Sequence, residues 1–219
     1  MVERCRKIAK VVVVDLDGTL IRSNSFKTYV KCGLHALVNN GSYMPALEVA
    51  CSLLIRKAGV ISHNNLREIC SSRIGFGEDV LISMRNHLQK DYSEAVMSFI
   101  REKRAKGYEV LLATAALSDY VPAVWDGDYV ASTIENGKIA VDCRGDKKKD
   151  MVIEKLNGLC PEIFLTDHIA DLPLMRYVAD NGGKCVLVNP SEKTSGFFRE
   201  FEPSELLDVE LLLDSGEAR

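Results

Sequence analysis

Near its N-terminus the chain reads Val11-Val12-Val13-Val14-Asp15-Leu16-Asp17-Gly18-Thr19-Leu20, and this stretch decides the fold. The four valines predict a short strand covered on both faces, because a parallel strand inside an α/β sheet reads as an unbroken apolar run. Two carboxylates, Asp15 and Asp17, follow at once. Ligands of open α/β sheets bind beyond the carboxyl ends of the strands, and buried unpaired charges are costly. We therefore expect these acids to bind a metal ion or to take part in a reaction.

Three further apolar runs follow, at residues 110–113, 163–165 and 185–188. They alternate with segments of helical pattern, which predicts an α/β fold with a doubly wound, Rossmann-like parallel sheet as its core. The pair Asn136-Gly137 between two β-rich segments predicts a hairpin turn. Helices outside the N-terminal third are expected at 91–106, from about 116, at 148–157 and at 171–180.

Residues 23–90 differ from the rest of the chain. They contain no β-rich run, their apolar residues recur at helical spacing, and glycines divide them into three or four helices. We predict an α-helical cap domain at 23–90, inserted into an α/β core domain formed by 1–22 and 91–219. Residues 20–90 carry a net charge of +5, so the remainder carries −8, since the whole chain is at −3. A basic cap over an acidic core suits an anionic substrate.

Composition excludes several classes of function. The 219 residues are 47% hydrophobic and 27% charged, as in ordinary globular proteins, and the net charge of −3 argues against a nucleic-acid partner. Seven cysteines without a CxxC pair indicate reduced thiols and a cytoplasmic location. The apolar segment 44–55 is too short to span a membrane. Such a helix could rest on a bilayer, but core packing explains it more simply, and we expect no membrane partner; the oligomeric state stays open.

More polar groups follow the other predicted strands. Thr114 ends the second run, Lys147–Lys149 begin a predicted helix, and Asp167 and Asp171 follow the third run. A doubly wound sheet brings such groups to one edge. Carboxylates suit Mg²⁺, and an aspartate can act as a covalent nucleophile toward a phosphoryl group. A second carboxyl group, with its pKa raised by its neighbours, can protonate the leaving oxygen.

In order and spacing, these residues resemble the four motifs of the haloacid dehalogenase (HAD) superfamily over residues 11 to about 190. The likeness is to the branch with helical caps, which includes phosphoserine phosphatase. The resemblance implies a Mg²⁺-dependent phosphatase that hydrolyses a small phosphorylated metabolite through an aspartyl-phosphate intermediate on Asp15. The identity of the metabolite is not implied.

The resemblance also implies roles for the four acids. Asp15 would be the nucleophile and a Mg²⁺ ligand, and Asp17 the general acid and base, with its backbone carbonyl on the metal. Asp167 would bind Mg²⁺, with Asp171 beside it as a ligand, directly or through water. The chain departs from the usual Gly-Asp-Ser at Thr166-Asp167-His168. We interpret His168 as a loop side chain without a direct role, unless the substrate pocket extends to it.

The phosphate-binding groups follow from the same resemblance. Thr114 would hydrogen-bond the phosphoryl group, and a lysine would neutralise it. In the helical-cap branch this lysine often stands in the pattern Cys-x-Gly-x-x-Lys, which residues 143–148 match. The pattern favours Lys148, with Lys149 as the close rival and Lys147 as a further alternative.

Other functions remain open on the same scaffold. The chain could be a catalytically silent phosphate-binding protein, a phosphotransferase, or a phosphatase of lipid-linked phosphates. A dehalogenase is disfavoured, because the resemblance implies that dehalogenases lack the second aspartate of the first motif, here Asp17. Retention of every acid argues against a silent protein, since clustered charges without a function would only be costly.

Overall fold

The structure is a computed structural model that describes residues 8–200 and 209–212. Within these residues, seven strands form one sheet, and every neighbouring pair is parallel except one antiparallel hairpin. The strands are β1 (Ile8–Val14), β2 (Glu109–Leu117), β3 (Tyr129–Glu135), β4 (Lys138–Val141), β5 (Cys160–Thr166), β6 (Lys184–Val188) and β7 (Val209–Leu212). Their order in the sheet is β4-β3-β2-β1-β5-β6-β7, so β1 is central and the hairpin pairs β3 with β4.

Eight helices accompany this sheet in the described residues. Four of them, α1–α4, lie between β1 and the next core helix, which agrees with the predicted three or four. The helices are α1 (Ser25–Asn39), α2 (Tyr43–Lys57), α3 (His63–Ile74), α4 (Glu78–Leu88), α5 (Glu94–Ala105), α6 (Gly145–Lys155), α7 (Leu172–Asp180) and α8 (Glu192–Glu200).

Both faces of β1 are covered, which is why its sequence is apolar without interruption. Val13 belongs to an apolar cluster with Val152 of α6 and Val178 of α7. Val12 points to the other face and belongs to a cluster with Val96 of α5. Side chains of a strand alternate between faces, so a strand between two helical layers needs apolar residues at every position. The predicted doubly wound α/β fold is confirmed.

The segment that leads from β1 into the inserted helices lies next to the segment that leads back from them. Ile21 forms an antiparallel bridge with Tyr92, and the Ser93 N–H donates to the Leu20 carbonyl at 2.9 Å. The buried side chains of α1–α4 join the apolar cluster on the α5 face of the sheet. The division into a cap domain at 23–90 and a core domain stays a prediction, and parts of the predicted core domain at both termini lie outside the described residues.

The helix predicted from about residue 116 is wrong. Instead β2 continues to Leu117, which pairs with Ser132 of β3, and the Ser118 N–H donates to the Ser132 carbonyl at 2.8 Å. Only a 3-10 turn, Val121–Ala123, follows. Alanines suit helices locally, but here pairing with a neighbouring strand overrides that preference. The helix predicted at 148–157 begins earlier, at Gly145, and α8 and β7 were not predicted.

The apolar segment 44–55 was expected to be explained by core packing. That expectation is wrong for one side of the helix, which is exposed. The segment lies in α2, which buries only a narrow side made of Ala46, Val49 and Ser52. No helix in the described part of the chain is long and apolar enough to cross a membrane. The large apolar side chains that α2 exposes are Tyr43, Met44, Leu47, Leu54 and Ile55.

Replacing Phe164 with alanine is expected to destabilise the protein by about 3–5 kcal/mol, because the ring is fully buried in β5 beside the central strand. The free energy of unfolding is measured by urea denaturation. Ile82→Ala on α4 is the control, since this side chain is exposed and the change is expected to cost less than about 0.5 kcal/mol. Equal effects of the two substitutions would contradict the described core.

Candidate active site

Three buried side chains from distant parts of the chain meet beyond the carboxyl ends of β1 and β5. Asp15 follows β1 directly, Asp171 ends the 3-10 turn after β5, and Lys148 lies in the first turn of α6. Lys148 Nζ is 2.8 Å from Asp15 Oδ1 and 2.7 Å from Asp171 Oδ1. The lysine is only 3% exposed, and both carboxylates are buried. One ammonium group therefore faces two carboxyl groups away from water.

Burial and the neighbouring opposite charges shift the pKa values of Asp15 and Lys148 in opposite directions. Burial raises the pKa of Asp15 above its usual range, although the Lys148 ammonium works against that rise. Burial alone would lower the pKa of Lys148, but the carboxylates of Asp15 and Asp171 outweigh it and raise this pKa. The lysine therefore stays protonated. Because it is shared between two acids, a further cation would stabilise both in their ionised form.

Asp17 lies where the sheet meets the first inserted helix. Its Oδ1 accepts a hydrogen bond of 2.7 Å from the N–H of Ser25, the first residue of α1. Its Oδ2 is 3.4 Å from the side-chain nitrogen of Asn24, which caps the same helix. Burial raises the pKa of Asp17, and the hydrogen bond from Ser25 opposes this. With its pKa raised, this carboxyl group keeps its proton to a higher pH than an ordinary aspartate, which suits a group that donates a proton.

Asp167 lies against the loop that follows Asp15. Gly18 in that loop has a φ of +82°, and a Cβ at this position would overlap the Asp167 carboxylate, so glycine is required on two grounds. Thr19 Oγ1 is 3.4 Å from Asp167 Oδ1. The negative charge of Asp167 contributes to the raised pKa of Asp15, because the two carboxylates are near each other. The structure thus brings these acids to one edge of the sheet.

The structure separates the three candidate lysines. Lys148 contacts the acids, as described above. Lys149 forms an ion pair with Asp146 at 2.8 Å on the outer side of α6, and Lys147 is exposed. Of the three, the structure brings only Lys148 to the predicted site.

Thr114 reaches the same edge through strand register. Leu112 pairs with Val14, and Thr114 lies two residues further along β2. Its side chain is buried, and Oγ1 accepts a hydrogen bond of 3.0 Å from the Ala116 N–H. The hydroxyl hydrogen of Thr114 is not used in that bond, because the oxygen is the acceptor.

Thr166, which stands where the HAD pattern has glycine, orients Asp171. Its hydroxyl donates to Asp171 Oδ2 at 2.8 Å and accepts from the His168 N–H at 3.2 Å. The exposed imidazole of His168 accepts from the Ala170 N–H at 3.0 Å through Nδ1. The histidine therefore caps the turn before α7, which agrees with its interpretation as a loop side chain.

A buried arginine that was not predicted from the sequence connects α3 to the sheet. Arg67 is 2% exposed, and its guanidinium lies 3.0 Å from Asp142 Oδ1 and donates to the Ala115 carbonyl at 2.6 Å. Asn64 of the same helix donates to Asp142 Oδ2 at 3.1 Å. Ala115 directly follows Thr114 in β2, so this ion pair ties α3 to a strand that carries a candidate site residue. Arg67 and Asp142 are 75 positions apart in the chain, and no local sequence pattern predicts a contact between such distant residues.

Within the described residues, no group of three or more His, Cys, Asp or Glu side chains is arranged so that it could hold a metal ion. Mg²⁺ does not need such a group, since it is usually bound by one or two carboxylates together with water and substrate phosphate. Asp15 and Asp167 offer two carboxylates at one edge, and the Asp17 carbonyl belongs to the same loop. These hard oxygen donors fit a magnesium ion.

The sheet, the inserted helices and the acids at the carboxyl edge define an α/β protein with a helical insertion after its first strand. A model of the haloacid dehalogenase-like hydrolases matches residues 12–176, and the chain belongs to this family of enzymes. The family resemblance stated from the sequence is confirmed. No curated protein matches the chain.

Several solved structures share the fold. A protein of unknown function from Bordetella pertussis Tohama I is 17% identical, with a TM-score of 0.70 over 93% of this chain and 99% of that chain. A substrate-bound phosphoserine phosphatase is 15% identical, with a TM-score of 0.54 over 87% and 90%. An apo phosphoserine phosphatase is 14% identical, with a TM-score of 0.56 over 93% of each chain. At such identities the similarity establishes the fold alone.

Replacing Lys148 with methionine is expected to lower the free energy of unfolding by about 3–5 kcal/mol, because it leaves two buried carboxyl groups without their counter-charge. The measurement is urea denaturation at neutral pH with EDTA present. Lys149→Met is the matched control on the same helix, and its stability is expected to equal that of the wild type. Similar losses in both variants would mean that the ion pairs of Lys148 are not formed.

Replacing Asp142 with asparagine is expected to cost about 1.5–3 kcal/mol of stability, because the buried Arg67 loses its charged hydrogen-bond partner. Lys138→Met removes a second link between α3 and the hairpin, the ion pair with Glu68, and serves as the control. Because Lys138 is exposed, that loss is expected to stay below about 1 kcal/mol. A smaller effect of Asp142→Asn than of the control would contradict the assigned contact.

Proposed function

We propose that this hydrolase cleaves a small phosphomonoester in the presence of Mg²⁺, through an aspartyl-phosphate intermediate on Asp15. The observation that carries the proposal is the buried contact of Lys148 with Asp15 and Asp171, with Asp17 and Asp167 at the same edge of the sheet. An acidic cluster with one fixed ammonium is suited to a dianionic phosphoryl group only if further positive charge is supplied. The net charge of +5 on residues 20–90 agrees with an anionic substrate.

Three groups would hold the magnesium ion: the carboxylates of Asp15 and Asp167 and the backbone carbonyl of Asp17. The bound ion would supply positive charge that lessens repulsion between the nucleophile and the phosphoryl oxygens. Asp171 was predicted as a further ligand. Its two oxygens are already engaged by Lys148 and Thr166, so we assign to it the positioning of the lysine.

The reaction would proceed in two displacements at phosphorus. In the first, a carboxylate oxygen of Asp15 forms a bond to phosphorus, the bond to the leaving oxygen breaks, and Asp17 donates its proton to that oxygen. In the second, the ionised Asp17 accepts a proton from water as the water oxygen attacks phosphorus. The bond between phosphorus and Asp15 then breaks, which releases inorganic phosphate and restores both carboxyl groups.

The remaining residues would stabilise the charge on the phosphoryl oxygens. The Lys148 ammonium is held beside Asp15 Oδ1 and would neutralise charge at the nucleophile and the phosphoryl group. The hydroxyl of Thr114 would donate to a phosphoryl oxygen from the neighbouring strand. The inserted helices would exclude water and select the leaving group, with a small phosphorylated metabolite as the expected substrate.

Replacing Asp15 with asparagine is expected to reduce hydrolysis of a panel of phosphorylated metabolites to background, because the amide cannot form the acyl phosphate. Released phosphate is measured with Mg²⁺, and with EDTA in a parallel series, where wild-type turnover is expected to be lost. Lys149→Met is the matched control and should retain wild-type turnover. Wild-type protein quenched during turnover should carry one phosphoryl group on Asp15, detected by mass spectrometry after peptide digestion.

Normal turnover by Asp15→Asn would remove the proposed mechanism. A wild-type protein that binds phosphate but hydrolyses no member of the panel would favour the silent phosphate-binding alternative. Transfer of the phosphoryl group to an added alcohol in preference to water would favour a phosphotransferase.

A further inference from the structure

One exposed side of α2 carries apolar residues from Tyr43 to Ile55. Its exposed large side chains include Tyr43 at 68%, Leu47 at 56% and Leu54 at 67% exposure. Residues separated by three, four or seven positions share one side of a helix, so the exposed apolar side chains from Tyr43 to Ile55 form a continuous stripe about 18 Å long. We refer to this stripe as the α2 face. It consists of Tyr43, Met44, Leu47, Cys51, Leu54 and Ile55, all exposed.

The fold of the single chain does not account for the α2 face. The opposite side of the helix, with Ala46 and Val49, already packs within the protein. Globular proteins rarely expose large contiguous apolar patches unless the patch takes part in an interaction. Val60, three residues after the helix ends, extends the apolar surface with 74% exposure. These side chains are therefore available to an apolar partner outside the chain.

Both charged residues in the last turn of α2 are basic. Arg56 and Lys57 lie in the last turn of α2, and both are exposed. Glu48 is the only acidic residue of the helix, and it forms an ion pair with Arg73 of α3. The stripe thus combines exposed apolar side chains with positive charge at its C-terminal end.

We propose that the α2 face binds the surface of an anionic phospholipid bilayer, with α2 lying in the plane of the interface. An interfacial helix buries an apolar side among the acyl chains, and basic residues near the interface attract anionic headgroups. A second copy of the chain fits less well. In a twofold dimer the same patch meets itself, and the α2 face contains no acid with which Arg56 and Lys57 of the other copy could pair.

Vesicle binding tests the proposal without any need for turnover, so its outcome is independent of the proposed function. The wild-type protein is sedimented with vesicles of phosphatidylcholine alone, or of phosphatidylcholine with phosphatidylglycerol. Binding to the anionic vesicles is expected to be at least about tenfold stronger than to neutral ones and to weaken at high salt. Leu47→Glu combined with Leu54→Glu should abolish binding, since both side chains are exposed and the fold does not depend on them.

Two further variants make the test specific. Ile82→Glu places the same charge at an exposed apolar position on α4, outside the α2 face, and should bind anionic vesicles like the wild type. Arg56→Gln combined with Lys57→Gln should weaken binding by about fivefold for each lost charge. Absence of wild-type binding to anionic vesicles would overturn the proposal. So would a wild-type dimer in sedimentation velocity that Leu47→Glu and Leu54→Glu together dissociate, because the α2 face would then bind a second copy.

Discussion

The shared ion pair of Lys148 with Asp15 and Asp171 is the interaction on which the rest of the site depends. It joins the end of β1, the first turn of α6 and the turn before α7, since Lys148 is 133 positions from Asp15 and 23 from Asp171 in the chain. Buried charges are tolerated only when they are paired and hydrogen-bonded, and here a single ammonium serves two carboxyl groups. The pairing fixes three loops relative to one another and still leaves the edge short of positive charge, as a site for a cation and a phosphoryl group requires.

Steric constraints hold the acids as firmly as charge does. Gly18 is needed because its backbone has a positive φ and because any side chain there would displace Asp167. Thr166 replaces the glycine usual in the HAD pattern, and its buried hydroxyl donates to Asp171. The departure from the pattern therefore adds a hydrogen bond to the acid that positions Lys148.

The sequence predicted the parts of the molecule whose signal is local. Four consecutive valines imply a strand covered on both sides, and the pattern Cys-x-Gly-x-x-Lys of the family resemblance favoured Lys148 over Lys149. Contacts between distant residues have no such signal, which is why the ion pair of Arg67 with Asp142 was missed. Residues 115–117 suit a strand or a helix, and only pairing with β3 decides between them. In α2 the apolar pattern predicted a helix but could not indicate which side would stay exposed.

Two hydrogen bonds connect the inserted helices to residues at or next to the proposed active site. The first N–H of α1 donates to Asp17 at 2.7 Å, so the carboxyl group proposed to transfer the proton is also an attachment point of these helices. Arg67 of α3 binds the carbonyl that follows Thr114. A displacement of the helices would therefore remove one hydrogen bond from Asp17 and another from the strand that carries Thr114. In the proposed mechanism, these two contacts would link substrate selection by the helices to proton transfer by Asp17.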